Sequence, residues 1–221
     1  RLEEPTSGSV NIGQENFLSL SGRGLISSRK KIQMIFQDPF GSLNPSQTVG
    51  FMLMRGLELQ GINTIEAKER ALELLQQVGL GEQAFKRKPR NFSGGQRQRI
   101  GIARALSMGP DVIVADECVS ALDLSVQKQV LLLLNDLQKT YQMAIIFITH
   151  DLRVAAQVSD YITVMEKGKM VEFGTAKDVF NKPKHEYTQR LLEAAPGKDW
   201  HPPRLSPEEA AKIAKSLEVS S

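Results

Sequence analysis

Three apolar runs in this chain each end on a polar residue able to do chemistry. "KIQMIFQ" ends on Gln37, "VIVADE" on the adjacent carboxylates Asp116 and Glu117, and "MAIIFITH" on His150. A fourth stretch, "NFSGGQRQRIGIARALSMGP", opens a helical pattern on Ser93, Gly94 and Gly95. Serine is a good N-cap, and two glycines leave the first turn bare. Free N–H groups and the positive end of the helix dipole then face outward, an arrangement suited to an anion such as phosphate. A strand ending in two adjacent acids is the pattern of an NTPase, in which an aspartate helps to hold magnesium at the nucleotide. Singly, each feature also has a plain structural reading: a capped helix after a loop, an acid pair in a turn, a structural histidine.

The elements that must position these residues follow from the hydrophobic pattern. "KIQMIFQ" reads as a strand, and the turn-rich "DPFGSLNPSQTVG" follows it. From Val49 to Met108 the pattern is helical: Ala67, Ala71, Leu74, Leu75 and Val78 recur at helical spacing, with lysines and glutamates on the wet face. Beyond Met108 the pattern alternates. "DVIVAD" and "MAIIFIT" are buried strands, "LSVQKQVLLLLNDLQKT" and "DLRVAAQVS" are helices, and "YITVMEKGKMVEFG" is a hairpin turning at Lys167 and Gly168. Apolar strands alternating with helices predict an α/β fold with a parallel sheet covered on both faces. Ligands of such sheets sit at the C-terminal ends of the strands, where Gln37, Asp116, Glu117 and His150 lie. The tail is helical from Thr175, then Pro-rich through "APGKDWHPPRL", and ends in the polar helix candidate "SPEEAAKIAKSLEVSS".

Composition narrows the classes. The chain has 221 residues, enough for one domain or two closely joined lobes, and its 24% charged and 41% apolar content is ordinary for a globular protein. The net charge of +3 gathers partly in "KRKPR" (residues 86–90), which reads as a solvated face and does not indicate nucleic acid. Cys118 is the sole cysteine, so neither an internal disulfide nor a CxxC metal site exists. The longest aliphatic runs fall far short of a bilayer span, and no signal peptide is visible, so any membrane role is expected to be peripheral.

The order and spacing of Gln37, "FSGGQ", "VIVADE", "SALD" and "ITHD" resemble the nucleotide-binding subunit of an ABC transporter, over nearly the whole chain. The strings "IFQDPFGSLNP", "SALDLSVQKQVLLLL", "FITHDLRV" and "HEYTQRLLEAAP" are similar to the oligopeptide/dipeptide importer branch. The resemblance implies a P-loop NTPase-like α/β core over residues 1–37 and 109–184, an inserted helical signature subdomain over 38–108, and a C-terminal extension over 185–221. It implies ATP and Mg2+ as cofactors and an ATPase that energises solute import. In this family two cassettes meet head to tail, and each ATP lies between one subunit's phosphate loop and the other's signature motif. By that matching Ser93, Gly94, Gly95 and Gln96 face a partner's γ-phosphate and Asp123 spans the interface. Asp116 orders the magnesium shell, Glu117 polarises the attacking water, Gln37 senses magnesium and water, and His150 contacts the γ-phosphate. The implied partners are a second nucleotide-binding subunit, identical or not, transmembrane permease subunits and, indirectly, an extracytoplasmic solute-binding protein. The implied location is the cytoplasmic face of the cell membrane.

No G-x-x-x-x-G-K-[ST] occurs in the 221 residues, and Lys139-Thr140 ends a leucine-rich helix with no glycine loop before it. That loop supplies the backbone N–H cradle and the lysine for the β- and γ-phosphates. The expectation is a chain that begins after the loop, with a core strand missing from its sheet and an open edge or gap in consequence. The family usually has proline where Cys118 stands, and often histidine and an acid where Arg90 and Asn91 stand. Two other readings stay open: a soluble ABC ATPase acting on ribosomes or DNA, and a chain that only lends its signature motif to a partner.

Overall fold

The computed structural model describes residues 4–194. The Pro-rich stretch and the polar helix candidate of the tail lie outside the described residues. The described chain opens with a two-residue ladder, β1 (Asn11–Ile12) against β2 (Glu15–Asn16), and continues into α1 (Gly22–Lys31) and β3 (Ile32–Ile35). The helices α2 (Pro39–Ser42), α3 (Val49–Leu59), α4 (Thr64–Gln77) and α5 (Gly94–Leu106) follow without an intervening strand. Then come β4 (Val112–Asp116), α6 (Leu124–Tyr141), β5 (Ala144–Ile148) and α7 (Leu152–Val158). The described chain closes with the hairpin β6 (Tyr161–Glu166) and β7 (Lys169–Thr175), then α8 (Ala176–Asn181) and α9 (Glu186–Ala194).

The central sheet is parallel, in the order β3-β4-β5, with Met34 opposite Val114 and Val114 opposite Ile146. Because side chains alternate along a strand, this register sorts the sheet into two faces. Ile35, Ile113 and Ala115 lie on one face and are buried, in a single core shared with Val49, Leu53, Leu75 and Val78 of the helical stretch and with Ile100, Val130 and Leu134. The helical and sheet parts of the chain are therefore not separated by solvent.

The opposite face differs from the reading of a sheet covered on both sides. Met34, Ile146 and Ile148 share it, and Ile146 is 54% exposed. Among the described residues no strand pairs with the outer edge of β5. The β6–β7 hairpin forms its own antiparallel sheet, and a cleft of about 780 Å³ separates it from β5, lined by Ile146, Ile148, Leu152, Ile162, Val164 and Leu191. The hairpin turns at Lys167 and Gly168, both with positive φ (49° and 79°), the handedness that suits a two-residue turn to the strand twist.

The hairpin's inner face, Ile162 and Val164, packs with Val179 of α8. Glu172 of β7 is also buried, although it is an acid. Its carboxylate accepts the backbone N–H groups of Lys184 (2.9 Å) and His185 (3.0 Å), the residues leading into α9. Burial pushes this carboxyl up, but the Thr188 hydroxyl beside it, these two N–H groups and the Lys184 charge outweigh that and hold it below the usual carboxylate range. A pKa depressed in the folded state stabilises above the unfolded value, about 4.3, and the contribution is lost as pH falls through the folded value. Glu172→Gln is therefore expected to lower the thermal midpoint at pH 7 relative to the parent. The difference should shrink steadily below pH 4 in a melting series monitored by circular dichroism.

Candidate active site

The ends of the three parallel strands converge on Glu117. It follows β4 directly, with φ at 43°, a left-handed conformation that non-glycine residues adopt at a cost of about 1–3 kcal/mol. Hydrogen bonds on both sides hold it there. Its N–H donates to the Ile148 carbonyl at the end of β5 (2.9 Å), and its carbonyl accepts from the Ser120 N–H (3.0 Å) and hydroxyl (2.9 Å). The side chain is thereby delivered to both neighbours: Gln37 Nε2 donates to Oε2 at 2.7 Å, and His150 Nδ1 lies 2.9 Å from Oε1. Gln37, Glu117 and His150, whose bonded pairs lie 80 and 33 residues apart in sequence, are thus one hydrogen-bonded group.

Gln37 spends its amide hydrogens on Glu117 and, more distantly, on the Ser120 hydroxyl at 3.5 Å. Its amide oxygen makes no hydrogen bond among the described residues, and neither does the carboxylate of Asp116. Asp116 ends β4 and, by alternation, lies on the same open face as Val114. A glutamine oxygen and two carboxylates are hard donors of the type that Mg2+ prefers. Among the described residues no cluster of three or more His, Cys, Asp or Glu is placed to hold a metal by itself. The donor set fits a magnesium ion that also takes oxygens from a phosphate, which is how Mg2+ is ordinarily bound.

The Ser93 tip is a second, separate group. Ser93 is the N-cap of α5, with a full capping box: Gln96 N–H donates to Ser93 Oγ (3.3 Å), and Ser93 N–H donates to Gln96 Oε1 (3.0 Å). The N–H groups of Gly94 and Gly95 remain without an intrahelical acceptor, as in any first turn. Among the described residues no hydrogen bond joins Ser93, Gly94, Gly95 or Gln96 to Gln37, Glu117 or His150. The tip instead abuts the start of α6. A Cβ on Gly95 would meet Val126 Cγ1 at 2.4 Å, and the nearest atom to a Cβ on Gly94 would be Leu122 Cδ2 at 3.9 Å. Gly95 therefore has a packing reason that the sequence pattern does not disclose. Asp123 is exposed at the N-cap position of α6, where its side chain makes no cap hydrogen bond.

Cys118, next to Glu117, is buried, and desolvation is the main cause that pushes its thiol up to about 12. At that value it is a small apolar filler rather than a thiolate nucleophile. Sequence reasoning did not single out Ser120, which braces the strained Glu117 carbonyl. Its signal was the three-residue spacing of a serine after the acid pair.

Because Val126 is β-branched and stiff, Gly95→Ala must displace it or the tip, and the overpacking is expected to cost about 1–3 kcal/mol. Val126→Ala should return most of that loss in the double variant. Urea unfolding of the four proteins in the cycle measures both effects; simple additivity of the two single losses would contradict the Gly95–Val126 contact.

The ABC transporter family model matches residues 1–120. A putative peptide import ATP-binding protein of Brucella ovis is 48% identical over 200 residues, covering 90% of this chain and 63% of that protein. The dipeptide transport ATP-binding protein DppF of Escherichia coli is 43% identical over 215 residues, covering 97% of this chain and 62% of that protein. The chain thus spans under two thirds of the length of these relatives. Among solved structures, the ATP-binding cassette MJ0796, as a post-hydrolysis dimer bound to ADP and Pi, aligns at a TM-score of 0.70 with 31% identity, covering 79% of this chain and 76% of that one. The cbiO1 protein of Clostridium perfringens, part of the transporter complex cbiONQ, aligns at 0.74 with 28% identity, covering 82% and 71%. The family model spans more than half of the chain, and the chain belongs to the ABC transporter family.

Proposed function

We propose that the chain contributes the hydrolytic and signature parts of an ATP-binding subunit that energises import of peptides or related small solutes. The observation that carries this reading is Glu117, held between Gln37 and His150 at the ends of adjacent parallel strands. A carboxylate has about four lone-pair sites, so two hydrogen bonds leave Glu117 able to accept from a water as well. In the proposed reaction Glu117 orients and polarises that water for in-line attack on a γ-phosphoryl group. Gln37 and His150 keep the carboxylate aimed, and His150 also reaches the phosphate. Magnesium, when bound, neutralises charge on the phosphate oxygens, with Asp116 and the Gln37 amide oxygen as its protein-side donors. The peptide branch is supported by the names of the relatives and by the "HEYTQRLLEA" segment, which Glu172 ties to β7.

The Ser93 tip is proposed to act on a different nucleotide from the one served by Glu117. Its separate hydrogen bonding supports that reading, and so does the dimeric cassette among the similar structures. Asp123, exposed beside it, would lie at the same interface. The proposed assembly pairs the chain with a second nucleotide-binding subunit on permease subunits at the cytoplasmic membrane face, with a solute-binding protein outside. Among the described residues no helix is long and apolar enough to cross a membrane. The proposed division of residues is a core over 1–37 and 109–184, a helical signature unit over 38–108 and an extension from 185.

A second reading is favoured by one observation, the absence of G-x-x-x-x-G-K-[ST] from the 221 residues. Taken as these 221 residues alone, the chain would serve by lending its tip to a partner's nucleotide. Both readings are tested by mixing the chain with a cassette that carries an intact phosphate loop. A mixed pair is expected to occlude one ATP, counted by radiolabelled nucleotide after gel filtration; two per pair would refute the asymmetry. Gly94→Asp in this chain, which sets a carboxylate where the phosphate should sit, is expected to slow hydrolysis by the pair about 100-fold.

A further inference from the structure

We propose that Arg97 and Arg104 are positioning residues: together they clamp α2, the turn that follows Gln37, onto the helix that carries the Ser93 tip. The observations begin at α2. Asp38 caps this turn, its Oδ1 accepting the Phe40 N–H at 2.8 Å, so the chain direction just after Gln37 is set. Phe40 then projects outward and is 64% exposed, yet its ring lies under the Arg97 guanidinium, 3.5 Å from carbon to ring centroid. Arg97 itself is only 8% exposed. Its Nε donates to the Pro89 carbonyl at 2.8 Å, and its Nη2 to the Arg90 carbonyl at 3.4 Å. Pro89 and Arg90 belong to the turn that delivers Ser93.

One guanidinium therefore touches the segment before the tip and the segment after Gln37, and its backbone lies in the first turns of α5. Arg104 lies seven residues on, on the same helix face, and donates to the carbonyl of Ser42, the last residue of α2. Contact at both ends of α2 fixes its orientation, where one contact would leave it free to pivot. A displacement of Gln37 is thus carried to the start of α5. Lysine could replace the charge of Arg97 but not the flat face and the fixed fork that serve ring and carbonyls at once. The functional consequence, that the Glu117 group and the Ser93 tip report on each other, rests on the reading of both as parts of nucleotide sites. The mechanical coupling does not.

The test needs no nucleotide. Gln37→Ala is made in the full 221-residue chain and in its Phe40→Leu, Phe40→Tyr and Arg97→Lys variants, and amide hydrogen exchange is followed by mass spectrometry. Exchange at residues 97–100, the first amides of α5 bonded to main-chain carbonyls, is normalised to α4, which serves as the control for an intact fold. The Gln37→Ala change should accelerate exchange at 97–100 about three- to tenfold in the parent and in Phe40→Tyr, and less than about twofold in Phe40→Leu and Arg97→Lys. Equal acceleration in Phe40→Leu and the parent would overturn the clamp, as would no acceleration in any background. Should Arg97→Lys lose α4 protection, the Phe40 pair decides alone, since an exposed ring can be replaced without emptying the core.

Discussion

The arrangement depends on a requirement of α5: three arginines in or beside the core must each find an oxygen. Arg97 and Arg99 are buried, and burial pushes the guanidinium groups of Arg99 and Arg104 down from their ordinary value. A buried cation without acceptors would be far costlier than any packing gain at these positions. The acceptors are main-chain carbonyls from different parts of the chain: Pro89 and Arg90 for Arg97, Val78 for Arg99, and Ser42 for Arg104. Arg99 also reaches Gln129 of α6 at 2.9 Å. Hydrophobic burial brings segments together without direction, whereas a hydrogen bond to a carbonyl fixes angle and register. The loops around α5 are therefore held in defined places, and the Ser93 tip with them.

A comparable logic operates at the strand ends. The parallel register aligns β3, β4 and β5, so that Gln37, Glu117 and His150 leave the sheet side by side. Glu117, just past the end of β4, takes a left-handed conformation, and its carboxylate lies between Gln37 and His150. Local strain is tolerated because Ile148 and Ser120 satisfy the peptide groups on either side.

Much of this was legible beforehand. The three strands, the hairpin turn and the α5 cap all carry local signals: apolar runs, a Lys-Gly pair, and serine followed three residues later by glutamine. The candidate site residues were named through the order of their motifs, and three of them, Gln37, Glu117 and His150, meet. Other features were not. Helix α1 mixes glycine, serine and basic residues with little apolar period, and Ser28 is buried there regardless. Glu172 sits within the alternating hairpin, and only the approach of residues 184 and 185 shows why an acid belongs there. The apolar runs of β3 and β5 suggested burial on both faces, because a run of this kind does not record whether a neighbour exists on each side.

By itself, then, the sequence determined the elements, the cap and the residue types able to handle phosphate, since helix period, strand alternation and capping act within a few residues. Only the tertiary structure decided which of those residues meet, why Gly95 must lack a side chain, and which sheet face stays open. Those outcomes depend on contacts between segments tens of residues apart, and such contacts are set by register, packing and the acceptors available to buried charges.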